Sequence, residues 1–154
     1  MSPDYLAAPL VAQVECLARS FQHFTGRELC AGRTGEALAR DVANACCIIV
    51  SHGPQPDPIL NYGNRATLKL WEMEWDEFIR TPSRLTAEAP ERSERARLLA
   101  AVSECGFIDN YSGIRISKTG RRFRIIQATV WNLITESGEP YGQAAMFDRW
   151  EYLS

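Results

Sequence analysis

Apolar residues recur along the first part of the chain at the spacing of an amphipathic helix. Steps of three and four residues separate the members of this stripe, which are Leu6, Leu10, Val14, Leu17, Phe21 and Phe24. Ser2, which precedes a proline, is typical of a helix start, and Gly26 is typical of a helix end. Thr34 is suited to cap a second helix over residues 35–45. We therefore predict that the first 45 residues are helical.

Beyond residue 45 the pattern alternates between extended runs and helical spacing. It predicts strands at 46–51 and 59–62, helices at 65–71, 75–79 and 90–106, and strands at 108–117, 122–134 and 141–150. Two strands, a helical crossover and a three-strand meander make a five-stranded antiparallel sheet, so the fold class is α+β. We expect residues 1–45 to form an N-terminal helical extension and residues 46–152 to form one compact unit.

The long strand at 122–134 is apolar on both faces. One predicted face carries Phe123, Ile125, Gln127, Thr129 and Trp131, and the other carries Arg124, Ile126, Ala128, Val130 and Asn132. Such a strand belongs to a sheet that is covered on both sides. The crossover helices can cover one side. We expect the N-terminal helix to bury its stripe against the outer side of the sheet or against a partner chain.

Composition narrows the class of protein. The 154 residues are 45% hydrophobic and 23% charged, with a net charge of −2, as in an ordinary soluble globular protein. The longest apolar run, residues 45–50, is far shorter than the ~20 residues that span a bilayer. The N-terminus lacks the pattern of a secretory signal. We therefore expect a cytoplasmic protein with no membrane partner.

Candidate catalytic groups are sparse. The five cysteines include no Cys-x-x-Cys pair, so they are interpreted as reduced, mostly buried thiols without a metal. On one strand, Cys46 and His52 would lie roughly 20 Å apart, too far for a nucleophile and its base. Gly32 and Gly35 lie in a segment that lacks the strand and the lysine of a phosphate-binding loop. No catalytic residue and no metal site is predicted.

A basic cluster lies on the predicted hairpin near residue 120. Its members are Arg115, Lys118, Arg121, Arg122 and Arg124. No aromatic residues are interleaved with them for base stacking, so we interpret the cluster as a solvated hairpin edge and expect no nucleic-acid partner.

Five segments together resemble a known family. They are residues 24–29 (FTGREL), 59–71 with the segment Asn61-Tyr62-Gly63-Asn64 followed by an apolar helix, the hairpin at 113–123 (GIRISKTGRRF), and residues 128–134 with 142–147. In this order they look like the bacterial stand-alone members of the MEKHLA family. That family is a PAS-like domain also found at the C-terminus of plant class III homeodomain-leucine zipper transcription factors. The resemblance covers residues 20–150.

The resemblance implies a PAS-like fold that senses small molecules or mediates protein association, usually as a dimer, without chemistry of its own. The flavin photosensors of the PAS group carry a reactive cysteine in an Asn-Cys-Arg-Phe-Leu-Gln type motif, which is absent from this sequence. The haem-binding PAS proteins usually use a histidine on the crossover helices, whereas His23 and His52 precede that region. Covalent flavin and haem are therefore disfavoured, and no cofactor is predicted.

Pocket residues are predicted from large aromatic side chains and from amides that interrupt apolar strands. The candidates are Trp71, Phe78, Ile125, Gln127, Trp131 and Gln143. A buried amide needs a partner, which a ligand can supply. The alternative is that each amide bonds neighbouring backbone or faces solvent, and that each aromatic ring is core.

The predicted function is a sensory, small-ligand-binding or signalling-interaction module without catalytic activity, whose ligand would be a small apolar or aromatic molecule. The alternative is a ligand-free module for protein association with a filled core. A more distant alternative is an enzyme with an unrecognised site. We expect a homodimer formed through the N-terminal helix and the outer face of the sheet.

Overall fold

Helices flank both faces of a single antiparallel sheet in the computed structural model, which describes residues 2–154, without the side chains of residues 89 and 90. In chain order its elements are α1 (Ala8–Thr25), α2 (Gly35–Asn44), β1 (Ile48–His52), β2 (Leu60–Gly63), α3 (Arg65–Trp71), α4 (Trp75–Phe78), a 3-10 turn (Ser83–Thr86), α5 (Ala89–Cys105), β3 (Phe107–Ile116), β4 (Arg122–Ile134), β5 (Pro140–Phe147) and β6 (Arg149–Tyr152). The predicted order of helices and strands is confirmed.

The first helix begins later than its sequence signals predicted. Residues before Ala8 form a turn in which the Asp4 carboxylate accepts a hydrogen bond from the Leu6 amide at 3.0 Å. The turn places Tyr5 in the core, where its hydroxyl donates to the Gly63 carbonyl at 2.7 Å. This contact lies 58 residues away in sequence, so helix-start signals could not reveal it. The helix ends as predicted, at Gly26 with a φ of 74°.

The strands form the predicted antiparallel sheet, in the order β2-β1-β5-β4-β3. The segment α3–α5 crosses from β2 at one edge to β3 at the other. The predicted last strand is interrupted at Asp148, and its end, β6, continues beside β4 in the same register as β5. The sheet therefore has six named strands where five were predicted.

A bulge in β4 reverses the predicted assignment of faces. Gln127 has a φ of 54°, and the two β4 residues between Ile125 and Ala128 lie opposite a single β3 residue, Ser112. Before the bulge, odd-numbered residues of β4 point to the inner face of the sheet. After the bulge, even-numbered residues do. Phe123 and Ile125 therefore share their face with Ala128 rather than with Trp131. The strict alternation assumed from the sequence was wrong beyond Gln127.

The chain's own helices cover the outer face of the sheet, which carries Ile49, Trp131, Leu133 and Ala144. Helices α1 and α2 pack on it with Val14, Leu17, Phe21, Leu38 and Val42, all almost fully buried. Of the two surfaces considered for the N-terminal helix, the structure selects the sheet. The outer face is therefore not free to form the predicted dimer interface, because the chain's own helices already cover it.

Candidate functional site

The opposite, inner face of the sheet and helices α3–α5 enclose a cavity of about 80 Å³, named the inner-face cavity. Its apolar walls include Trp71, Phe78, Leu98, Ile125, Val130 and Phe147. Its polar lining residues are Ser51, His52, Ser83, Thr86, Arg95, Tyr111, Arg115 and Gln143. Because one water needs only about 10–15 Å³ of such space, the cavity has room for several waters or a small molecule.

The buried side chain of Asn64 positions the helix that supplies the aromatic wall. Its Oδ1 accepts from the Thr67 amide at 3.1 Å and caps α3, while its Nδ2 donates to the Val42 and Cys47 carbonyls. One fully buried amide thus joins α2, β1 and α3. At the other end of α3, Trp71 stands edge-to-face on Phe123, with ring centroids 5.1 Å apart.

Four of the six predicted pocket residues line the inner-face cavity: Trp71, Phe78, Ile125 and Gln143. The placement of Gln127 was wrong, because the bulge turns its side chain to solvent. Trp131 was also misplaced, since the shifted phase sends it to the outer face, where its Nε1 donates to the Leu17 carbonyl at 3.2 Å. Trp131 is a core residue, as the alternative interpretation held.

Two arginines in the cavity wall were missed as site residues. Arg115, interpreted as part of an exposed hairpin, is only 7% exposed, and Arg95 is only 8% exposed. A signal for Arg95 exists in the sequence: with Leu98 and Val102 it follows the buried stripe of α5. A charged residue within an apolar stripe is thus as informative a sign of a buried polar group as an amide within an apolar strand.

Several polar atoms in the cavity wall lack a hydrogen-bond partner among the described residues. The Nε2 group of Gln143 donates to the Leu99 carbonyl, to Ser103 Oγ and to Asn132 Oδ1. Its Oε1 atom has no hydrogen-bond donor. His52 Nδ1 lies 3.0 Å from the Gly53 carbonyl, and Nε2 has no partner. Trp71 Nε1 is likewise unpaired. Buried polar atoms of this kind are costly unless a bound molecule satisfies them.

The imidazole of His52 is neutral at physiological pH. Burial lowers its pKa below the usual value, and the nearby Arg95 charge acts in the same direction. The Gly53 carbonyl can only accept, so Nδ1 carries the proton and donates it there. Nε2 is then a hydrogen-bond acceptor. Together with Gln143 Oε1, it gives the cavity two unpaired acceptors on neighbouring strands.

A wide groove of about 940 Å³ lies beside the inner-face cavity. Residues 53–58, α5 and the adjoining ends of β4 and β5 line it. His52, Arg95, Leu99 and Gln143 line both spaces, so they form the partition between them. Gly142 has a φ of 118°, and an added Cβ would collide with the His52 carbonyl oxygen, so β5 approaches β1 closely at this partition.

Most of the basic cluster on the β3–β4 hairpin is paired within the chain. Lys118 meets Glu77 at 2.7 Å and Arg124 meets Glu151 at 2.9 Å. Arg122 lies 3.7 Å from Glu88, and the Arg121 guanidinium stacks 3.5 Å from the Tyr152 ring centroid. These contacts fasten the hairpin to the rest of the fold, and only Arg115 enters the cavity.

The cysteines lie away from the inner-face cavity. Only Cys16 is buried, on the outer-face side, so the expectation of mostly buried thiols was wrong. Cys105 is exposed and borders the groove. Among residues 2–154, apart from the two undescribed side chains, no cluster of three metal-ligating residues occurs. Within the same described range, no helix is both long and apolar enough to cross a bilayer.

Solved structures with a similar fold are PAS and light-oxygen-voltage domains. The PAS domain of a protein from Colwellia psychrerythraea has a TM-score of 0.61 and 16% identity, covering 70% of this chain and 89% of that one. A light-oxygen-voltage domain studied with a flavin analogue has a TM-score of 0.59 and 17% identity, covering 76% and 84%. An RNA-binding light-oxygen-voltage receptor has a TM-score of 0.61 and 18% identity, covering 80% of this chain but only 36% of that receptor.

These similarities establish the fold. At 16–18% sequence identity they do not establish a shared function. No curated protein matches the chain. The model of the MEKHLA domain, by contrast, matches residues 11–152 and so includes most of α1 as well as the whole sheet. The predicted PAS-like architecture is thereby confirmed, and the chain belongs to the MEKHLA domain family.

Proposed function

We propose that this chain is a non-catalytic sensory module that binds a small molecule in the inner-face cavity. The observation that carries the proposal is a cavity with apolar walls and a few unpaired polar atoms, next to an open groove. This combination is typical of small-molecule sites. Membership of the MEKHLA family and the PAS fold support a sensory or signalling role.

The polar groups of the cavity are better suited to binding than to catalysis. Ser83 Oγ accepts a hydrogen bond from Arg95, and Thr86 Oγ1 donates to the Ser83 carbonyl at 2.7 Å. Among the described residues, no histidine or carboxylate forms a hydrogen bond with either hydroxyl, which favours a binding role over that of an activated nucleophile. None of the five cysteines lines the cavity, which supports the expectation that no flavin is bound covalently there.

Native mass spectrometry of freshly purified protein, compared with the denatured mass of the same sample, tests the proposal. We expect excess mass that is lost on denaturation. Ala128→Leu should abolish it, because Ala128 lines the cavity and the larger side chain would fill it. Gln127→Ala, at the neighbouring exposed position, is the matched control and should retain the excess mass.

A ligand-free interaction module remains the alternative. It predicts a single apo mass and no stabilisation by any small molecule, and that pair of results would overturn the sensory proposal.

Dimerisation is a separate proposal. It needs a surface other than the outer face, because the solvent side of α1 presents Ala12, Glu15 and Gln22 rather than a second apolar stripe. Light scattering at several protein concentrations would test it, and a strict monomer would refute it.

A further inference from the structure

Two buried guanidinium groups face the inner-face cavity from different elements, Arg95 from α5 and Arg115 from β3. Their hydrogen-bond partners are neutral. Arg95 donates to Ser83 Oγ, and Arg115 donates to the Ile114 carbonyl at 2.9 Å and to the Tyr111 hydroxyl at 3.1 Å. Each guanidinium has five N–H donors, so both retain capacity for an acceptor inside the cavity.

No carboxylate among the described residues forms an ion pair with either guanidinium, although exposed arginines of this chain do have such partners. Arg84, for example, lies 3.2 Å from Asp57. Asp57 is also the acid whose charge reaches Arg95, but its side chain is 54% exposed and is engaged by Arg84. The chain thus pairs several solvated arginines and leaves two buried ones without a counter-charge.

A buried charge without a counter-charge is unfavourable, and two of them close together are more so. Burial, followed by the charge of Arg115, lowers the pKa of Arg95 to about 10. At neutral pH Arg95 is therefore still protonated. The cavity holds a positive potential inside an apolar shell, and an anion that entered it would remove the electrostatic penalty of both groups.

We propose that the ligand of the inner-face cavity is a small organic anion, with a carboxylate held by Arg95 and Arg115 and an apolar body held against Leu98, Ile125 and Phe147. This inference rests on the proposed function and specifies its substrate class. The planar guanidinium matches a carboxylate through paired N–H···O bonds. The apolar walls and the modest volume favour a small acid with a hydrocarbon or aromatic body over a fully hydrated inorganic anion.

The position of Arg95 also supplies a route into the cavity. Arg95 lines the open groove as well as the cavity, so an anion arriving in the groove meets the guanidinium at the partition. His52 Nε2 and Gln143 Oε1 lie at the same partition as unpaired acceptors. A carboxylate has no hydrogen to donate to these two atoms, so it turns toward the arginines, which sets the orientation of the bound anion. A water or a donor group elsewhere on the ligand would pair with the two acceptors.

Thermal unfolding of the full chain at fixed ionic strength tests the inference with two pairs of probes: butanoate against butanamide, and benzoate against benzamide. Inorganic phosphate is the third arm. We expect at least one carboxylate to raise the unfolding temperature saturably, and its amide to bind about tenfold more weakly or worse. Equal effects of acid and amide would overturn the anion and keep a small-ligand site. Stabilisation by phosphate alone would overturn the organic carboxylate.

No stabilisation by any probe, together with a single apo mass, would overturn both this inference and the proposed function. Excess native mass that proves to be a neutral compound would overturn the inference alone. These results separate the two failures, because one concerns whether the cavity is occupied and the other concerns the charge of the occupant.

Variants assign the effect to the two arginines. Arg95→Met and Arg115→Met should each weaken binding of the stabilising carboxylate about tenfold or more, since each removes a charge-assisted hydrogen bond. Arg84→Met, which removes an exposed guanidinium from the rim of the groove, is the matched control and should leave affinity within about twofold. Retained affinity in both cavity variants would overturn the assignment.

The unliganded variants give a second readout. Arg95→Met should unfold at the same temperature as the parent or higher, because it replaces a buried unpaired charge by an apolar chain of similar length. A large drop would mean that Arg95 is a structural residue. Arg95→Lys retains the charge without the planar fork, so it should bind the carboxylate better than Arg95→Met and less well than the parent.

Discussion

The outer face of the sheet, under α1 and α2, carries Trp131 and Leu133, both fully buried. The indole N–H of Trp131 donates to a backbone carbonyl. The inner face, under α3–α5, encloses a cavity, two buried guanidinium groups and an indole N–H without a partner among the described residues. Both faces belong to the same strands. The contrast indicates that α1 and α2 pack a filled core, whereas the inner face leaves open the cavity that we propose as a ligand site.

The largest expected effect concerns the filled side. Trp131→Ala should lower the free energy of unfolding by about 3–5 kcal/mol, because it opens a large cavity in a fully buried cluster. Urea denaturation measures this, with Gln127→Ala as an exposed control expected to change stability by about 0.5 kcal/mol or less. A loss below about 1 kcal/mol at Trp131 would contradict the view of this face as the tightly packed one.

A matched pair compares the two faces directly. Trp131→Phe and Trp71→Phe remove the same atoms, but only Trp131 gives up a hydrogen bond, the one to the Leu17 carbonyl. We expect the outer-face variant to lose about 1 kcal/mol more than the inner-face variant in chemical denaturation. Equal losses would show that the unpaired indole of Trp71 makes no difference to stability.

Acid should weaken the inner face first. The pKa of His52 is lowered in the folded state, so the unfolded chain takes up a proton that the folded chain resists. The stability due to neutral His52 is present above about pH 6.5 and is lost as the pH falls below that value. Between about pH 7.5 and about pH 5.5, stability should fall more steeply in the parent than in His52→Asn, measured by denaturation at each pH. Parallel profiles would contradict this assignment.

The smallest effect concerns the bulge that separates the two phases of β4. Gln127 adopts a φ of 54°, which is unfavourable for a side chain of this type, so Gln127→Gly should raise stability by about 0.5 kcal/mol. Asn110, with a φ of 60°, is the control, because asparagine tolerates this conformation and Asn110→Gly should gain less. Comparing the two midpoints in urea tests the difference. If Gln127→Gly instead lowered stability, the Gln127 side chain would make a favourable interaction that outweighs the backbone strain.

Local patterns in the sequence determined the order of elements and the fold class. The apolar stripe that ends at Gly26, the β-branched run at β1 and the hairpin turns between the last strands depend on interactions over a few residues, so spacing and turn chemistry were sufficient. The same holds for the aromatic and amide candidates Trp71 and Gln143, which the structure does place in the cavity wall.

Tertiary structure decided what those elements enclose. One extra residue at Gln127 reverses the faces of β4 and moves Trp131 to the outer face, and alternation along a single strand carries no record of where a bulge falls. The burial of Arg95 and Arg115 likewise depends on helix α5 packing against strand β3. Whether a charge is solvated or enclosed is set by distant parts of the chain, which is why the charges that distinguish this cavity became visible only in three dimensions.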